Sequence, residues 1–215
     1  MYKKKSFFIV FEGVEGCGKS YQSKKLKRNL AKQGVNSLLT REPGGTIGAE
    51  FIRTLILKDY FNKEKKEKFD KYTDTLLYLA ARNEHIKNKI QPALKKRRVV
   101  ICDRFIDSTL AYQVYGKKVN KSFIDHIHRF ILNGIKPDIT FVLKVSSKTS
   151  KLRLKKRKTK NRYDNFPQSF YTKAQKSFLK IARNKPNYFV LDSSLDNNDL
   201  ENKIFKIVSK YLKIK

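Results

Sequence analysis

Gly13 to Ser20 reads Gly-x-x-x-x-Gly-Lys-Ser, and residues of these types at this spacing bind phosphate. Glycines let successive backbone N–H groups curl round an anion with no Cβ in the way. The helix that follows points its positive end at the same charge. Lys19 can reach the outer phosphates of a nucleotide, and Ser20 can offer its hydroxyl to Mg²⁺. The candidates in the loop are therefore Gly13, Val14, Glu15, Gly16, Cys17, Gly18, Lys19 and Ser20. Cys17 is read as a small residue that fits the turn rather than as a reactive thiol.

A second pair capable of chemistry, Asp103-Arg104, ends the apolar run Val99–Cys102. In a phosphate-loop protein a carboxylate at such a place holds or orients Mg²⁺; its plain alternative is a cap on the next helix. Arg104 points into the same cleft, and Arg41 and Arg53 lie near the ends of other elements. Arginine suits bidentate phosphate contacts. Arg157, Lys158, Lys160 and Arg162 crowd a polar stretch without periodicity. Such a stretch is either a solvated loop or a lid whose cation stabilises a phosphoryl-transfer transition state. Tyr78 and Arg82 stand four apart, on one helix face; they can stack on a base and bond its edge, or pack in a core. His85, His126 and His128 lack ligand spacing and are read as core or surface residues.

Elements must hold these groups in place. Apolar runs without alternation predict buried parallel strands at about 7–11, 35–39, 99–102, 139–145 and 188–191. Helical patterns fall at about 19–32, 47–57, 72–96, 108–115, 121–133, 149–156, 168–184 and 200–212. Lys58–Lys68 reads as a charged connection. This β-α alternation predicts an α/β fold, P-loop NTPase-like, with three α/β/α layers, a five-stranded parallel sheet and a mobile lid at about 155–166. The 215 residues suit a single domain spanning 1–215.

Composition narrows the classes. No apolar run approaches the roughly 18 residues of a membrane span, and the basic start, broken by Glu12, is short for a signal peptide. A cytoplasmic protein with no membrane partner is expected. Two cysteines cannot form a disulfide framework. The net charge is +31, but lysine is spread over nearly every helix. That predicts salt-dependent, non-specific adhesion to polyanions and no specific nucleic-acid partner.

Along nearly its whole length the chain resembles the thymidylate kinase (dTMP kinase) family. The resemblance is carried by Phe11-Glu12-Gly13-Val14-Glu15-Gly16 before Gly18-Lys19-Ser20, by Thr40-Arg41-Glu42-Pro43-Gly44-Gly45-Thr46, and by Leu76-Leu77-Tyr78-Leu79-Ala80-Ala81-Arg82. Asp103-Arg104-Phe105, Ser108-Thr109-Leu110-Ala111-Tyr112-Gln113 and Pro137-Asp138-Ile139-Thr140 complete it. It implies transfer of the γ-phosphoryl group of ATP to dTMP, giving dTDP and ADP with Mg²⁺, a step toward dTTP. It implies that Lys19 and its loop hold the ATP phosphates, with Glu15 near the deoxyribose 3′-OH and the metal. Arg104 and Arg53 would hold the dTMP phosphate. Tyr78, where the family usually has phenylalanine, would stack on thymine, Arg82 would bond its O4 and Pro43 would pack near its methyl. Ser108, Thr109 and Gln113 would line the substrate site, and Tyr112 would crowd the ribose 2′ position. Ser20 and Asp103 would be the metal residues. The loop carries no arginine of its own, as in the bacterial type that takes its catalytic arginine from the lid; Arg157 is the choice here, then Arg162. Family members are usually homodimers.

Three departures stand out: Phe105 where the family often has tyrosine or histidine, Asn161-Arg162-Tyr163-Asp164 where the lid usually reads Asp-Arg-x-Glu, and the lysine-rich lid itself. Competing readings are a kinase for another nucleoside monophosphate or a deoxynucleoside, a nucleic-acid-bound ATPase, and a degenerate nucleotide binder.

Overall fold

The structure is a computed structural model that describes residues 5–57, 68–156, 163, 166–194 and 198–214. Phe7–Glu12 (β1) is buried at every position, as a strand must be when both neighbours and both faces are covered. It pairs in parallel with Val99–Asp103 (β3) on one side and Ile139–Lys144 (β4) on the other. Ser37–Arg41 (β2) and Tyr188–Asp192 (β5) form the edges, giving the order β2-β3-β1-β4-β5, parallel throughout.

Alternate side chains of β1 divide the core in two. Phe7, Ile9 and Phe11 pack with Leu26 and Leu30 of helix α1 (Lys19–Lys32) and with Ile204 and Val208 of α9 (Asn198–Leu212). Phe8 and Val10 pack with Ile86, Ile90, Ala93 and Phe105 on the opposite face. The expected three-layer α/β/α fold with its five-stranded parallel sheet is therefore present. Among the described residues no helix is long and apolar enough to cross a membrane.

Several boundaries differ from the sequence reading. β2 begins at Ser37 rather than Val35 because Val35 closes α1: its N–H donates to Leu30 O and that of Gly34 to Ala31 O, both at 2.9 Å. This is the paired bonding that ends a helix at a left-handed glycine; Gly34 has φ 69°. The pattern at 72–96 is not one regular helix. It runs as α3 (Lys71–His85), a π-helical turn at Ile86–Ile90, and α4 (Gln91–Lys95). Pro92 cannot donate back along the helix and its ring would press on the preceding turn; the wider turn lies just ahead of it. The pattern at 108–115 is likewise α5 (Ile106–Thr109) followed by a π-helical stretch, Leu110–Gly116. The other helices are α2 (Ile47–Leu57), α6 (Lys121–Leu132), α7 (Ser147–Lys155) and α8 (Gln168–Ala182). Of the lid range, residues 157–162, 164 and 165 lie outside the described residues, so Arg157 and Arg162 do too; Tyr163 is described and buried.

Candidate functional site

The parallel order puts the C-terminal ends of β1, β2 and β3 side by side, the edge where open α/β sheets take their ligands. The glycine-rich turn leaves β1 there. Gly13 has φ 136°, and a Cβ on it would lie 2.5 Å from Leu143 O, so neither the backbone angle nor the space admits a side chain. Lys19 folds back into the turn, its ammonium donating to Gly13 O at 3.0 Å and Val14 O at 2.8 Å. Ser150 Oγ and Ser193 Oγ pin the turn from outside, donating to Glu15 O (2.8 Å) and Cys17 O (2.7 Å).

Asp103 ends β3 opposite Phe11 and faces the loop. The Ser20 hydroxyl donates to its Oδ2, while its Oδ1 is buried without a hydrogen-bond partner among the described residues. The cap role that competed for Asp103 is filled instead by Glu12, whose Oε1 accepts the Phe105 and Ser108 N–H groups at 2.8 and 3.2 Å. The described residues contain no cluster of three or more His, Cys, Asp or Glu able to hold a metal. Two hard oxygen residues beside a phosphate loop suit Mg²⁺, which completes its shell from phosphate and water.

Arg104 sits in left-handed backbone, φ 74°, a conformation that costs a non-glycine residue about 1 kcal/mol or more and persists only where surroundings enforce it. Its N–H donates to Phe11 O at 2.9 Å. Its guanidinium donates to Gly13 O (3.0 Å), Ser108 Oγ (3.0 Å) and Glu15 Oε1 (2.7 Å), and lies over the Tyr112 ring. Glu15 also accepts the Tyr112 hydroxyl at 2.6 Å. Burial works to raise the Glu15 carboxyl, but Arg104 and Lys19 outweigh it and hold it below the usual range. The arginine thus spends three of its five N–H groups on the protein and keeps two for a ligand.

Arg82 is more committed. It reaches Glu42 Oε2 (2.7 Å), Thr109 Oγ1 (2.8 Å), His128 Nε2 (2.8 Å) and Phe105 O (2.8 Å), leaving one N–H. His128 must be neutral to accept there. Burial and the Arg82 charge hold its pKa down to about 3. His85 bonds Glu42 (3.2 Å) and Thr40 (2.6 Å), and its ring lies under Gly45, where a Cβ would come within 2.6 Å of it. Arg53 donates to Pro43 O at 2.6 Å. Gln113 is buried, and its Nε2 has no partner among the described residues. The Tyr78 and Tyr163 hydroxyls hydrogen-bond each other.

Most of these residues line one cavity of about 490 Å³. Glu15, Gly16, Gly18, Lys19 and Ser20 come to it from the loop, and Asp103, Arg104 and Ser108 from the end of β3. Pro43, Arg53, Tyr78 and Arg82 join from one wall, and Thr109, Tyr112 and Gln113 from another. Basic lining residues outnumber carboxylates seven to three, which suits two polyanions. Gly13 and Val14 stay behind the loop, and Cys17 lines a smaller cavity of about 200 Å³ with Gln22, Ser193 and Leu200. The two cavities share Gly18, Tyr21 and Arg153, and Arg153 Nη1 donates to Gly16 O at 3.4 Å.

Sequence reasoning gave no role to Arg153, Glu12, His85 or His128. Arg153 stood among many basic residues with nothing to single it out. The other three act through partners far away in the chain. A polar residue inside an otherwise apolar strand, as at Glu12, was the one available signal.

The thymidylate kinase family model matches residues 11–204. A thymidylate kinase from Wolbachia sp. subsp. Brugia malayi is 42% identical over 207 residues, covering 94% of each chain. One from Mycoplasma capricolum is 36% identical over 209 residues, covering 96% of each. The crystal structure of thymidylate kinase from Ehrlichia chaffeensis superposes with a TM-score of 0.74 at 33% identity, over 95% of this chain and 99% of that one.

Proposed function

The chain belongs to the thymidylate kinase family, and from that premise we propose how its own residues carry the reaction. The enzyme is an ATP-dependent dTMP kinase: it moves the γ-phosphoryl group of ATP to dTMP, giving dTDP and ADP on the way to dTTP. The observation that carries the residue assignment is the single cavity holding Lys19 and Ser20 together with Arg104, Arg82 and Gln113.

Lys19 and the loop N–H groups hold the β- and γ-phosphates of ATP. The smaller cavity takes its adenosine end, where Gln22 Oε1 is buried without a partner among the described residues. Arg104 and Arg53 hold the dTMP phosphate. Tyr78 stacks on thymine, the remaining Arg82 N–H and the Gln113 amide bond its edge, and Pro43 packs beside its methyl. Thr109 acts on the base through Arg82, to which it is bonded. Tyr112, fixed by Glu15, crowds the ribose 2′ position, and Glu15 lies near the 3′-OH.

The nucleophile is a dTMP phosphate oxygen, already ionised at neutral pH, so no strong general base is needed. An oxygen–phosphorus bond forms to the γ-phosphorus as the bond to the ADP oxygen breaks. Catalysis is alignment and charge neutralisation. Lys19 and Arg104 supply charge from the described residues, and Arg157, with Arg162 as second choice, supplies it from the lid. Ser20 and Asp103 would hold Mg²⁺, which when bound neutralises phosphate charge. The protein is one domain over 1–215 with its lid at about 155–166. It pairs as a homodimer through an exposed apolar stripe on α2, Ile47, Phe51 and Leu55. Both cysteines are buried free thiols, in keeping with a cytoplasmic enzyme.

The test is ADP release with ATP–Mg²⁺ against dTMP, dUMP, UMP, CMP and dGMP, for the native chain and Lys19→Ala. Strong dTMP preference is expected, with kcat falling at least about a hundredfold in the variant. A variant with normal dTMP turnover would remove Lys19 from the phosphate site.

A further inference from the structure

Glu12 is fully buried at the last position of β1, one residue before the phosphate loop. Its two oxygens do different work. Oε1 accepts two backbone N–H groups, Phe105 and Ser108, while Oε2, among the described residues, meets only the Ser108 hydroxyl, at 2.6 Å. That same hydroxyl accepts from Arg104 Nη1 at 3.0 Å. Glu12 therefore grips the backbone on the far side of Arg104 and, through Ser108, the guanidinium itself. Among the described residues it forms no ion pair of its own, and the buried carboxyl of Asp107 lies near it. Lys185 and Arg82 offset the charge of Asp107, whereas burial and the neighbouring Asp107 carboxyl both work against ionising Glu12.

We infer that Glu12, as an uncharged carboxylic acid, is the positioning residue that aims Arg104 at the acceptor phosphate. One oxygen accepts the two amides as a carbonyl does, and the other donates its proton to Ser108 Oγ. Ser108 then has one lone pair for Glu12 and one for Arg104. An ionised Glu12 would set a negative charge behind the arginine and weaken its hold on a phosphate dianion. The groups facing Glu12 are Arg104 at the β3–α5 junction, Asp107 and Ser108 of α5, Cys102 of β3 and Tyr188 of β5. Burial, with Asp107 beside it, pushes the Glu12 carboxyl up to about 8. Cys102, Tyr112 and Tyr188 are all pushed up by burial, above their ordinary ranges.

The inference rests on the assignment of Arg104 to the dTMP phosphate, and the experiment separates the two. Steady-state constants for dTMP and ATP are measured from pH 6.5 to 9.5 for the native enzyme, Glu12→Gln, Glu12→Ala, Ser108→Ala and Arg104→Ala. Glutamine keeps one accepting and one donating end, so Glu12→Gln should hold KM for dTMP within about twofold at pH 7. The native enzyme should show a rise in KM for dTMP above about pH 8, and Glu12→Gln should abolish it. Glu12→Ala should raise KM for dTMP about tenfold, the worth of one hydrogen bond to a charged group, and leave KM for ATP within about twofold. Should Glu12→Ala fail to fold, Ser108→Ala cuts the same link while sparing the amide bonds, and must raise KM for dTMP in the same way. A Glu12→Gln enzyme as impaired as Glu12→Ala at pH 7 would overturn the uncharged-acid role. So would equal increases in both KM values, or an unchanged KM for dTMP in Glu12→Ala and Ser108→Ala. If Arg104→Ala itself leaves KM for dTMP unaltered, the phosphate assignment fails as well; if it raises KM while the Glu12 variants do not, only Glu12 is lost.

Discussion

At the scale of single residues, the site is a set of charges kept apart by bonds already made. Arg82 has one N–H left and Arg104 two, so each can add a ligand but cannot swing to another partner without leaving a buried acceptor unpaired. The cation proposed for the lid, Arg157, would differ, because it would be needed only when charge develops. Arg157→Ala should therefore lower kcat about a thousandfold with KM for dTMP nearly unchanged; a raised KM with kcat intact would make Arg157 a binding residue. Two buried groups also set opposite pH limits on stability. His128, held at about 3 from an ordinary 6.5, contributes stability that is complete above pH 6.5 and drains away as pH falls toward 3. Glu12, raised from 4.5 to about 8, contributes stability that is complete below pH 4.5 and is lost as pH rises through 8. Each slope approaches about 1.4 kcal/mol per pH unit. Denaturant melts from pH 4 to 9 should show both limbs, with the acid limb flattened in His128→Gln; an acid limb unmoved by that change would rule His128 out as its source. The phosphate loop was legible from type and spacing alone because its groups are neighbours in the chain, and Asp103-Arg104 was marked by its place at the end of an apolar strand, although Ser20, Gly13 and Glu15, to which the pair bonds, lie far from it in sequence. The Arg82–Glu42–His128 network was not, since it joins positions that only the folded sheet brings together.

Elements were legible where one rule governed them. β1 is apolar at every position before its last, Glu12, and α6 opens on Asn120, whose side chain accepts the Ser122 N–H, and closes at a left-handed Asn133. Where two rules competed, the reading slipped. Val35 is a good strand residue and also a good closing residue for a helix ending in glycine, and the hydrogen bond from its N–H to Leu30 O goes with the latter. The π-helical turns left no mark in the apolar period. α2 has two faces. Arg53 turns inward to Pro43 and the cavity, while Ile47 and Phe51, 82% and 73% exposed, are spaced to form one outward stripe. Exposed apolar residues of this size in a row mark an interaction surface. If the proposed homodimer forms through α2, Phe51→Glu should halve the mass found by light scattering without lowering the melting temperature of the monomer; an unchanged mass would remove α2 as the contact.

For the molecule as a whole, charge is the dominant property. With +31 spread over its surface, the protein should bind DNA weakly, with affinity falling steeply between about 50 and 200 mM salt. DNA should not raise its ATP hydrolysis; stimulation that saturates with DNA would instead point to a nucleic-acid-dependent ATPase. The same surface bears on pairing, since two such molecules repel at long range, and salt that loosens DNA should tighten the dimer. That gives the two-faced α2 a kinetic meaning. In the proposed homodimer one rod would carry both the contact with a second copy and the arginine proposed for the acceptor, and the enzyme would then obey mass action in its own concentration. Specific activity would then climb as the protein is concentrated, and a cell could change the yield of dTDP per molecule of enzyme simply by making more of it.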